Sequence, residues 1–167
     1  GVAINDLATG ISAIQNIPIS LIEKIEIVKS PRATLYGSNA VGGVVSVFTK
    51  KKSEREDYSV MLGSDETKEI SLSKVVHNDS NHYGFSATFF DTDGFPTKVG
   101  SDLDDPHENR SVNAFIKRDF ETLSIEAGFW NSQGETSYKD FFLSSISQDF
   151  HNSTMSFTLD HALSEKW

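Results

Sequence analysis

The sequence predicts an α+β block at the front of the chain followed by a run of antiparallel strands. Three observations carry this. Residues 17–50, IPISLIEKIEIVKSPRATLYGSNAVGGVVSVFTK, form the densest apolar run of the 167-residue chain and are punctuated by glycines. From Tyr58 onward the apolar residues alternate with polar ones at period two, as on a strand with one apolar face. The links between these alternating segments are short and long in turn.

In the front block, Pro18 can open a short helical turn, because its missing N–H is an orphan there in any case. Residues 23–29 alternate, with Ile25 and Ile27 on one side and Glu26 and Val28 on the other, which predicts a strand. Ser30-Pro31 ends it, since proline removes a ladder donor and fixes φ. Residues 32–36 can make one helical turn, and 37–39 read as a loop. Gly42-Gly43 lets backbone pass close to backbone. The β-branched residues 44–48 predict a buried strand. The charged run KKKSERED at 50–57 is a solvated linker. Six strands follow, centred on 58–62, 70–76, 83–89, 112–116, 123–129 and 155–159. Residues 63–68, 77–81 and 119–121 are short links, 163–166 predict a further tight turn, and 91–110 and 132–151 are long polar stretches. Alternation alone suits a soluble β-sandwich as well, but the polar partners are mostly Ser, Thr and Gly, small enough for an interior packed around something else.

Residues 17–50 resemble the C-terminal half of the plug domain of TonB-dependent outer-membrane receptors. The family pattern runs I-P-x-x-x-I-E-x-I-E-V, a basic residue, G-P, a spacer, L-Y-G, then G-G-V-I-N-I-x-T. It is met at Ile17, Pro18, Ile22, Glu23, Ile25, Glu26, Pro31, Leu35, Tyr36, Gly37, Gly42, Gly43, Val44 and Thr49, with Arg32 beside the proline. Ser30 stands where glycine is usual and Ser46 where asparagine is usual. The resemblance implies an α+β plug fragment over 1–50, a linker over 51–57, and the N-terminal strands of an antiparallel transmembrane β-barrel over 58–167. That is six strands of about 22 expected in a plugged transporter. On this reading the chain is a fragment, and the signal peptide and the segment that engages TonB lie upstream of it.

The same resemblance implies the biology. The function is energy-coupled uptake of a scarce ligand across the outer membrane of a Gram-negative bacterium. The wording of the plug and the acidic second loop favour a cobalamin-like corrinoid, with a ferric siderophore or haem as the alternative. The partners are the TonB complex, outer-membrane lipid and the small-molecule ligand. Gly1 to Asp6 resembles the end of a plug strand, so Asp6, Leu7, Ala8, Thr9, Gly10 and Ile11 would form an apical loop that touches the ligand. The long polar stretches would face the outside and the short turns the periplasm. Tyr58, Trp130 and Trp167 lie near predicted strand ends, where interfacial aromatics belong.

Composition bounds the remainder. Fifteen basic against 24 acidic residues leave a net charge of −9, which makes nucleic acid a poor partner. There is no cysteine, hence no disulfide or thiolate site. The start has no basic and apolar leader, and no run approaches the ~18 apolar residues of a membrane helix. In the stretch 91–110, Asp91, Asp93, Asp102, Asp104 and Asp105 could wrap a hard cation such as calcium, which takes six to eight oxygens in irregular geometry. The other reading is a solvated acidic loop. Corrinoid-binding members of the family order the matching loop with calcium. His77, His82, His107, His151 and His161 have no ligand spacing and read as turn or interior residues. Glu23 and Glu26, among Lys24, Lys29 and Arg32, suit ion pairs between plug and barrel wall better than catalysis. No nucleophile, Walker or zinc-protease motif appears, so an enzyme is not expected. A soluble sandwich or adhesin-like binding module is the alternative from another class.

Overall fold

The computed structural model describes residues 4, 14–29, 40, 42–51 and 54–162. It divides into two compact units, Ala3–Lys52 and Ser53–Trp167.

In the first unit two 3₁₀ turns, Ile14–Asn16 and Ile19–Leu21, precede strand β1 (Ile22–Val28). Pro18, at φ −58° and ψ 132°, stands just before the second turn and accepts the Leu21 N–H at 3.0 Å. β1 pairs antiparallel with β2 (Val44–Thr49), Val28 opposite Val44, with an irregularity between Ile22 and Lys24. The expected helix is therefore reduced to 3₁₀ turns, and no α-helix occurs among the described residues. The turn expected at 32–36 lies outside them. The expectation of a buried strand at 44–48 is corrected: Val45 is 46 % and Phe48 38 % exposed, and on β1 Ile27 is 62 % exposed. Two strands alone cover neither of their faces. Gly43 shows why this hairpin needs glycine. Its φ is +134°, and a Cβ there would meet the Val28 carbonyl oxygen at 2.4 Å. Gly42 has no neighbour within 4 Å of the same position, so the close approach belongs to Gly43 alone.

The second unit is a six-stranded meander: β3 (Arg55–Leu62), β4 (Lys68–Asn78), β5 (Asn81–Thr92), β6 (His107–Asp119), β7 (Leu123–Lys139) and β8 (Ser145–His161). Each strand pairs antiparallel with the next. All six alternating segments are strands. β3 begins inside the charged run, at Arg55.

One link differs from expectation. Residues 132–151 do not form a long loop. β7 continues to Lys139 and β8 starts at Ser145, with Ser132 opposite Asn152 and Lys139 opposite Ser145. Polar residues alternate there with other polar residues, so the hydropathy pattern vanishes, yet the backbone ladder needs no apolar side chain to continue. Links 63–67, 93–106 and 140–144 lie at one end of the sheet, and only 93–106 is long. Links 79–80 and 120–122 lie at the other end and are tied by the Asp119 N–H donating to the Ser80 carbonyl at 2.9 Å.

Candidate functional site

The register sorts the sheet into two unlike faces, because directly opposed residues share a face. One face carries rows such as Phe85–Ala114–Phe129–Met155 and Tyr83–Ile116–Ala127–Phe157. The other carries Ser59–Ser71–Thr88–Ser111–Ser132–Asn152, a row of small polar residues across all six strands. The sorting by exposure is inverted relative to a water-soluble protein. Met155, Phe157 and Val60 are 81 %, 70 % and 72 % exposed, while Thr88, Asn109, Ser111 and Ser132 are buried.

The polar face is held by its own hydrogen bonds. The Ser132 hydroxyl donates to Asn109 Oδ1 at 3.0 Å, and the Ser59 and Ser71 hydroxyls lie 2.8 Å apart. Trp130 Nε1 donates to the Ser111 hydroxyl at 3.1 Å, which in turn donates to the Asn131 carbonyl at 3.2 Å. Trp130 therefore does not sit at a strand end. The extension of β7 to Lys139 places it mid-strand on the polar face, where its indole N–H finds a partner. Phe115, the large buried side chain of that face, fits because its cross-strand neighbours are Gly84 and Gly128. A Cβ on Gly84 would lie 2.4 Å from the Phe115 ring. Tyr58 lies near the start of β3 on the apolar face, its hydroxyl donating to Glu56 at 2.5 Å.

The end with the longer link gathers charge. The Asp93 N–H donates to the Asp65 carbonyl at 2.9 Å, joining link 63–67 to link 93–106. Asp105 pairs with Lys139 at 3.1 Å, and its other carboxylate oxygen accepts the Thr97 N–H at 3.3 Å and the Thr97 hydroxyl. These contacts, the Thr97 hydroxyl first and Lys139 after it, hold the Asp105 carboxyl below the usual aspartate range. The five aspartates do not fit a calcium cage as placed. Among the described residues no three acidic or imidazole side chains converge. Asp91 lies in β5 opposite Glu108, and Asp105 is engaged by an ammonium.

Of the other sequence-selected residues, Asp6, Leu7, Ala8, Thr9, Gly10 and Ile11, and likewise Pro31, Arg32, Tyr36, Gly37 and Trp167, lie outside the described residues. Glu23 is exposed on β1, and Glu26 pairs with Lys24 two residues back at 2.6 Å. Both partners of that pair are half-exposed, so it contributes at most about 1 kcal/mol. Lys24 also stands 4.5 Å from the Phe48 ring centroid. Sequence spacing missed His77 and His82. They face each other across the two-residue turn Asp79-Ser80, with ring centroids 4.4 Å apart, and His82 Nε2 lies 3.3 Å from Asp119. The near-palindrome HNDSNH around that turn is the signal that could have found them. Lys139 left no such signal.

A sheet that exposes its apolar face, preceded by a sequence with the plug pattern, defines a class. Residues 1–44 match the TonB-dependent receptor plug domain family, and the chain is related to TonB-dependent receptors. Among curated proteins it is similar to the vitamin B12 transporter BtuB of Vibrio vulnificus strain CMCP6, 38 % identical over 101 residues, which cover 59 % of this chain and 16 % of that protein. It is similar to BtuB of Vibrio vulnificus strain YJ016 at 31 % over 118 residues, 69 % of this chain and 19 % of that protein. The Vibrio cholerae O395 transporter of the same name is 36 % identical over 78 residues, 46 % of this chain and 13 % of that protein. The chain thus spans less than 20 % of the length of these relatives.

Proposed function

We propose that this chain belongs to an energy-coupled receptor of the Gram-negative outer membrane that takes up a cobalamin-like corrinoid. In this reading 1–50 are the C-terminal part of the plug, 51–57 a linker, and 58–167 the first strands of a barrel of about 22. The observation that carries it is the inverted sheet. Large apolar side chains on the exposed face suit acyl chains, and the small polar face suits a plugged lumen. An open edge is not tolerated in lipid, so further strands must close the sheet. Tyr58 suits the periplasmic interface, where an aromatic ring with a polar tip belongs. Residues Asp6, Leu7, Ala8, Thr9, Gly10 and Ile11 and the links at the 93–106 end would meet the ligand from outside. An inner-membrane complex would then pull the plug through its periplasmic partner TonB and open a path, with no covalent step. The likeness to vitamin B12 transporters supports the corrinoid.

The test is made on the full-length protein. It should fractionate with the outer membrane, and cells carrying it should accumulate radiolabelled cyanocobalamin only when TonB is present. Uptake of a ferric siderophore or haem instead would replace the ligand and keep the class. Recovery as a soluble monomer would overturn the class.

A further inference from the structure

Lys139, the last residue of β7, carries a buried ammonium held by two hydrogen bonds and one ion pair. Its Nζ donates to the Asp104 carbonyl at 3.1 Å and to the Ser145 hydroxyl at 3.1 Å. It lies 3.1 Å from Asp105 Oδ1, with the two side chains 1 % and 6 % exposed. The three partners come from two segments, the end of link 93–106 and the first residue of β8. A second lysine runs the opposite way: Lys98, within link 93–106, donates from Nζ to the Asp140 carbonyl at 2.7 Å. The Asp140 side chain in turn accepts the Phe142 and Ser144 N–H groups, each at 2.8 Å, which closes link 140–144. The Ser137 N–H donates to the Pro106 carbonyl at 2.9 Å. Gly94, at φ +70°, lies so close to Asp105 that a Cβ there would meet its carbonyl oxygen at 2.2 Å, so the two ends of the long link abut.

We propose that Lys139 is the built-in cation of link 93–106: its ammonium gathers the backbone carbonyl, carboxylate and hydroxyl oxygens that a bound metal would otherwise gather, and orders the link without calcium. The oxygens it collects, from Asp104, Asp105 and Ser145, are the donor types a hard cation takes. The ammonium neutralises Asp105 where burial would otherwise leave an unpaired charge. The remaining acidic residues of the stretch do not converge on a second centre among the described residues. The inference concerns the order of the link and holds whichever ligand the receptor takes.

The natural chain has no cysteine, so a single Val99→Cys in the fully exposed part of the link takes a spin label without background from these residues. The measurement is made on the full-length protein in outer membranes. The label should show the same restricted spectrum in EDTA and in millimolar calcium. Lys139→Met should raise the mobile population roughly 10- to 100-fold, the loss expected for hydrogen bonds to a buried charge. Should Lys139→Met fail to assemble, Asp105→Asn, which leaves the bonds to Asp104 and Ser145 in place, should raise it roughly 3- to 10-fold. A spectrum of the unsubstituted link that is mobile in EDTA and sharpens with calcium would overturn the proposal. So would a spectrum unchanged by either substitution.

Discussion

Met155 offers the sharpest test of the inverted sheet. It lies on β8 in the row Phe85–Ala114–Phe129–Met155 and is 81 % exposed, so replacing it by lysine removes little protein packing. In water such a surface change stays within about 0.5 kcal/mol. In the hydrocarbon of a bilayer a lysine on the lipid face of a barrel costs about 2–4 kcal/mol near the midplane. That is roughly a 30- to 1,000-fold shift in the folding equilibrium at about 1.4 kcal/mol per factor of ten. Leu159→Lys is the depth control. Leu159 shares its row with Asn78, Asn81, Arg118 and Ile125, so it lies at the polar border of the apolar band. There the cost should fall to about 0–1 kcal/mol. The assay is reversible denaturant unfolding of the full-length protein into lipid vesicles, followed by tryptophan fluorescence and by the gel shift of folded barrels. A Met155→Lys cost within 0.5 kcal/mol, or equal costs at Met155 and Leu159, would refute the assignment of this face to lipid.

Two further outcomes follow from individual contacts. Gly43→Ala should open the β1–β2 hairpin, because φ +134° is strained for any side chain and the new Cβ collides with the Val28 carbonyl; limited trypsin digestion at Lys24 and Lys29 should speed up, while Gly42→Ala, which meets nothing within 4 Å, should leave it unchanged. The order of link 93–106 should persist at neutral pH and weaken only in acid. The Asp105 carboxyl is depressed in the folded protein, so its contribution is full above the unfolded value of about 3.9 and is lost as pH falls below it through the folded value; a spin label at Val99 that mobilised between pH 7 and 5 would contradict this.

The strands were legible wherever an apolar face had to alternate with a polar one. Residues 70–76 and 155–159 declared themselves because Leu72 and Phe157 each stand between small polar neighbours. The upper halves of β7 and β8 were illegible for the converse reason. From Ser132 to Ser137 polar side chains follow polar side chains, and nothing but the backbone ladder marks a strand there. Misjudging that length also misplaced Trp130, which reads as a strand-end aromatic only if β7 stops just after it. The candidate site was less legible than the sheet. The acidic link stood out by composition, but the group that organises it did not. Lys139 is one lysine in a polar stretch, separated from Asp105 by 34 positions, and only the β6–β7 pairing brings them together.

By itself the sequence determined the plug pattern of 17–50, the existence of six strands and the assignment of apolar and small polar residues to opposite faces. These follow from short-range periodicity, since a period of two decides the face of each residue without reference to any other strand. Tertiary structure alone decided how far β7 and β8 run and which cation meets Asp105. Each of these depends on register between strands distant in the chain. Cross-strand neighbours, unlike periodic ones, have no fixed separation in sequence.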